Sequence, residues 1–185
     1  MVVAEWLTKN NKEAFVFPAT HGGLVTVYAE ECTEQDPQVL GNLTAVLTKE
    51  LKCAGLTVLN HDDDFLLYEL YKEGLLVDKY ISPPFFEPGD EEDSVIDEED
   101  DVDIEWKSNR GDAVTLCAVM GTVDATETVQ AVLGSTDYVF QTERHKALVE
   151  AMGLPDNSAG LGFLNLLHDE DLLPEGFIQT GNMLP

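Results

Sequence analysis

Basic residues are scarce in this chain: ten Lys and Arg stand against 36 Asp and Glu in 185 residues, a formal charge of −26. Such a field repels nucleic acid and anionic lipid, and it attracts basic proteins and cations. Direct nucleic-acid binding and a membrane surface are therefore not expected. Cysteine is scarcer still. Cys32, Cys53 and Cys117 are far apart, odd in number and without C-x-x-C spacing. That argues against a disulfide framework or a zinc site and fits a reducing cytoplasm. Cys53 and Cys117 fall in apolar helical patterns, so buried inert thiols are expected. No apolar run approaches the length of a membrane span, and the first fifteen residues, MVVAEWLTKNNKEAF, lack the basic and apolar regions of an export signal. The common catalytic and phosphate-binding signatures are also missing: no G-x-S-x-G, P-loop, G-x-G-x-x-G or H-E-x-x-H occurs. No cofactor and no metal is expected.

What the chain does have is acid in one place. Glu87–Glu105 holds 12 carboxylates in 19 positions and no Lys or Arg. A segment this charged repels itself and has too few apolar groups to offset its ordering entropy, so 87–107 is expected to be a mobile, solvated loop. The rest still carries 24 acids against 10 bases, so the body is acidic too. An acidic surface over the whole chain is also what a salty habitat favours. With an apolar fraction of 44%, the length suits one ordinary domain over 1–185.

The pattern predicts an α+β fold. Ala14–Pro18 and Leu24–Glu30 flank a Thr20-His21-Gly22-Gly23 turn and read as a hairpin. Asp36 caps a helix with Pro37 in its first turn and an apolar face from Val39 to Leu51, ended by Gly55. Three strands follow, Leu56–Asn60, Phe65–Tyr71 and Leu75–Ser82, joined by His61-Asp62-Asp63-Asp64 and Lys72-Glu73-Gly74. The order β-β-α-β-β-β suggests a mostly antiparallel sheet of about five strands with one helix on a face. The C-terminal half reads as helical. Asn109 and Asp112 start a helix over Ala113–Met120, Asp124 and Glu127 open Thr126–Leu133, and Glu143–Met152 ends at Gly153 and Pro155. Asp137–Phe140 reads as extended. An apolar tail (Phe163, Leu164, Leu166, Leu167) is expected to dock.

Chemistry has few candidates. The His61–Asp64 cluster could hold a divalent ion or an acid–base pair, yet adjacent turn residues point apart and no calcium-loop spacing is present. A polar β-turn, with Asp bonding its own backbone, is the expected role. An enzyme reading would need Asp62–Asp64 to converge with His61 or His145 on one pocket. Arg144 is expected to form a structural ion pair; His21 and His168 are lone turn histidines. Tyr80, Phe85 and Phe86, just before the acidic run, form with Asp97, Glu98, Glu99, Asp100 and Asp101 a candidate surface for a basic protein partner: aromatic anchors beside a steering charge. The alternative is that Phe85 and Phe86 cover the end of the sheet.

The segments Leu24–Tyr28, His61–Asp64, Y-x-x-G-x-x-x-D-x-Y-x-S-x-P from Tyr71 to Pro84, and R-H-x-A-L-x-E-A-x-G-L-P from Arg144 to Pro155 together resemble a group of small bacterial proteins of no assigned activity. The resemblance spans most of the chain outside the acidic run. It implies a bacterial, cytoplasmic protein and says nothing of catalysis. Taken together, the sequence favours a non-enzymatic binding module of the immunity or antitoxin kind. An Asp/His enzyme and a nucleic-acid mimic are the alternatives.

Overall fold

The computed structural model describes residues 2–19, 23–83 and 109–181. The fold is mixed α and β, with six α-helices and two three-stranded antiparallel sheets among the described residues. The expected single five-stranded sheet is thus two sheets, and the helix expected on one face lies between them.

The first sheet has β1 (Ala14–Phe17) at its centre, with β2 (Thr26–Ala29) on one side and β6 (Ile178–Thr180) on the other. Both edges of β1 are taken. Strand β6 and the first helix, α1 (Val2–Lys9), had no counterpart in the sequence reading. Period-two alternation gives β1 two apolar faces. Ala14 and Val16 join Ala4 and Leu7 of α1 and Leu43 in one cluster. Phe15 and Phe17 face the other way, where Phe163 and Leu166 of a short helix (α6, Phe163–His168) cover them. The apolar tail therefore docks as expected. Phe15 and Phe163 lie 5.3 Å apart, centroid to centroid.

Helix α2 (Pro37–Leu51) is capped as its sequence predicts: the Asp36 carboxylate accepts from the backbone N–H of Gln38 and Val39. Its end differs. Lys52 takes the left-handed conformation at φ 52°, and Gly55 already lies inside the next strand, β3 (Ala54–His61). There a Cβ would sit 2.7 Å from the Thr48 methyl, so Gly55 serves close packing and not helix termination. The helix carries two stripes. Leu43 and Leu47 face the first sheet. Gly41, Thr44 and Thr48, small residues three and four apart, face the second, where Thr57 donates to Thr44 Oγ1 at 2.6 Å.

That second sheet runs β3, β4 (Phe65–Lys72), β5 (Leu75–Ile81), joined by two tight hairpins. In the first turn Asp62 and Asp63 have φ of 48° and 69°. In the second, Glu73 and Gly74 have φ of 51° and 86°, the paired positive φ that suits hairpin twist. Leu66, Tyr68 and Leu70 of β4 and Tyr80 of β5 point away from α2 into the largest core. Helices α3 (Ala113–Met120), α4 (Thr126–Gly134) and α5 (Gln141–Ala151) close it through Leu116, Val129, Val132, Leu133 and Leu148. Of the Asn109 and Asp112 pair expected to start α3, Asp112 is the cap, accepting from the N–H of Val114. Residues 137–140 form no strand; they bend into α5. Cys117 is buried, but Cys53 is exposed at the α2–β3 junction, against expectation.

Candidate functional site

Toward the N-terminal end of α2 the helix stands off the second sheet and leaves a groove of about 850 Å³. Asp36, Pro37, Gln38, Gly41 and Asn42 form the helix wall. Leu67, Glu69 and Tyr71 of β4, with Lys79 and Ile81 of β5, form the floor, and Asp64 and Phe65 close one end. The floor follows from register. Alternation puts Leu67, Glu69 and Tyr71 on one face of β4, and Lys79 stands directly across from Glu69.

Glu69 is the centre of this floor. Tyr71 donates its hydroxyl to Glu69 Oε2 at 2.6 Å. Lys79 Nζ is 3.7 Å from Glu69 Oε1, an ion pair beyond hydrogen-bond length. The side chain of Glu69 retains 12% of its exposure, so its charge is largely withdrawn from water. Burial, and then the hydrogen bond to Glu69 and its negative charge, push the Tyr71 hydroxyl well above its usual pKa. Gly41 makes the arrangement fit: a Cβ there would meet Glu69 Oε2 at 2.6 Å and the Tyr71 hydroxyl at 2.8 Å. Three carboxylates (Asp36, Asp64, Glu69) and one ammonium (Lys79) thus share the groove with the apolar side chains of Phe65, Leu67 and Ile81.

The His61–Asp64 turn has a structural role. Asp63 Oδ1 accepts the backbone N–H of Thr142 at 2.6 Å, which caps α5 from outside its own chain segment. Phe140, the residue at the N-cap, offers no side-chain bond. These bonds outweigh partial burial and hold the Asp63 carboxyl below its usual range. His61 stacks on Phe65 with centroids 4.9 Å apart. His61 Nδ1, Asn60 Oδ1 and Gln35 Oε1 are buried with no hydrogen-bond partner among the described residues. No group of three His, Cys, Asp or Glu among the described residues is arranged to hold a metal ion.

The turn meets the first turn of α5, but His145 does not share the groove with Asp64. Asp64 lines the groove, while His145 is buried in α5 and its pKa is pushed down to about 4 by burial alone. Arg144 is also buried, at 1% exposure, but not in an ion pair. Its guanidinium donates to Gln141 Oε1, the Tyr80 hydroxyl and the Val132 carbonyl, all neutral, and lies 4.8 Å from the Tyr138 ring centroid. Burial lowers its pKa. Tyr80 is fully buried, with its hydroxyl donating to the Leu133 carbonyl at 3.0 Å. It is a core residue and offers no exposed contact. Phe85, Phe86, Asp97, Glu98, Glu99, Asp100 and Asp101 lie outside the described residues, as does His21. His168 is exposed at the end of α6.

Sequence reasoning missed the groove's central pair. One signal was present: Glu69 interrupts the otherwise apolar LLYELY strand on a face that α2 covers. No helix among the described residues is long and apolar enough to cross a membrane. No family model matches the chain, and neither the curated proteins nor the solved structures contain a match.

Proposed function

We propose that this chain is a non-enzymatic binding module that engages a basic protein partner, in the manner of an immunity protein or antitoxin. The observation that supports it is the groove between α2 and the second sheet, where Asp36 and Asp64 stand at the rim and Glu69 lies in the floor among Leu67, Tyr71 and Ile81. The apolar side chains supply contact area and the carboxylates select for positive charge. The field of the whole chain points the same way, at −26. A bacterial cytoplasm is the setting we propose for it.

The test is capture on the immobilised protein from a lysate of its source, at low salt and again near ~0.5 M, where screening acts within a few Å. A basic protein retained at low salt and weakened at high salt is the expected result. No salt-sensitive protein partner would overturn the reading. With a partner in hand, deleting Glu91–Asp103 should slow association severalfold at low salt and matter little near ~0.5 M, because distant charges steer encounter without making contacts. Equal loss at both salt concentrations would mean short-range contacts and end the steering account.

A further inference from the structure

We infer that the groove beside α2 receives an arginine side chain of that basic partner, with an apolar neighbour on the groove floor; this rests on the binding reading above.

The geometry of Glu69 carries it. An ionised carboxylate has roughly four acceptor sites. Among the described residues Glu69 uses one firmly, for Tyr71, and faces Lys79 only at 3.7 Å. A carboxylate so withdrawn from water gains from a second strong donor, and charge-assisted bonds are the strongest that proteins make. Tyr71 holds the carboxylate in one orientation, and the missing Cβ of Gly41 keeps the helix backbone clear of it. The receptor is therefore preorganised before a ligand arrives.

The choice of arginine follows from the walls. Phe65, with His61 stacked on its ring, and Tyr71 both line the groove. A planar guanidinium stacks on aromatic rings and presents several donors at once, whereas an ammonium is a more strongly hydrated point charge. Lys79 supplies a resident ammonium, so an incoming lysine would only duplicate it. Asp36 and Asp64 at the rim add attraction without being contacts of the same depth. A volume of about 850 Å³ exceeds what one side chain fills, which leaves room for an apolar neighbour on Leu67 and Ile81.

The probe is a short blocked peptide alternating leucine and arginine, compared with the same peptide carrying citrulline, the neutral isostere of arginine. Binding to the full chain is read by amide chemical-shift changes. The arginine peptide should bind with shifts centred on Gly41, Glu69 and Lys79, and the citrulline peptide should bind about tenfold or more weakly. Glu69→Gln should erase that difference. Asn42→Trp, an exposed substitution on the helix wall, should block both peptides while every carboxylate stays in place. Equal binding of the two peptides, unchanged binding in Asn42→Trp, or shifts scattered over the acidic surface would each overturn the inference. The two proposals fail separately. A partner captured from lysate equally by wild type and Glu69→Gln would remove the arginine site and leave the binding module. Absence of any partner would remove the module, whatever the peptide does.

Discussion

His145 sits on α5 with 8% exposure, and burial holds its pKa near 4 against an ordinary 6.5. The unfolded chain therefore takes up a proton at this residue below about pH 6.5 that the folded chain refuses until about pH 4. Stability contributed by the neutral imidazole is complete above that window and falls as pH drops through it, by roughly 3 kcal/mol. Urea denaturation at both ends of the window should show the loss, and His145→Gln should flatten that part of the curve. An unchanged slope in the variant would remove His145 as the cause. Arg144 makes a complementary case. It bridges Gln141, Tyr80 and Val132 with one planar group, so Arg144→Lys should destabilise by more than about 2 kcal/mol although the charge is kept. Among apolar positions, Leu70 is fully buried, and Leu70→Ala should cost about 2–5 kcal/mol in the same measurement. Leu47, which is only half-buried, should cost less.

Elements were legible where their signals are local. Asp36 with Pro37, Asp112, and the Glu73-Gly74 turn each declare themselves within four residues, and each sits where those residues predict. What escaped has no local signature. Strand β6 is three residues long, Ile-Gln-Thr, and exists because β1 has a free edge for it. Helix α1 has an apolar face and a stop signal at Asn10-Asn11 but no capping residue at its start within the described segment, and it forms against the first sheet. The division into two sheets was illegible for a similar reason: only the two stripes of α2, leucines on one side and small residues on the other, require a sheet on each. The groove inherits that limit, since Glu69 and Lys79 are ten residues apart and meet only through the β4–β5 register. Asp62–Asp64 form the expected turn while His61 ends β3, but Asp63 bonds the backbone of α5 instead of its own, a tertiary service. Asp63→Ala should cost about 1–2 kcal/mol through the lost cap, and Asp63→Asn, which keeps an acceptor, should recover most of it. Thermal unfolding of the three proteins decides this; equal midpoints would show that the cap contributes nothing.

At the scale of the whole molecule, a formal charge of −26 on 185 residues means that every added carboxylate is placed against the field of the rest. Salt should therefore stabilise the fold, and the melting temperature should rise between low ionic strength and ~0.5 M as repulsion is screened. A flat response would mean that repulsion is as large in the unfolded chain. The first sheet carries a different consequence, one of timing. Its central strand is made within the first seventeen residues, yet one of its two neighbours is Ile178–Thr180. During synthesis β1 must wait beside β2 with an open edge until almost all of this sequence has left the ribosome. The second sheet, built from consecutive hairpins, has no such delay. Pulse-labelled hydrogen exchange on refolding chains should accordingly find the amides of Leu66 and Leu70 protected before those of Phe15 and Val16.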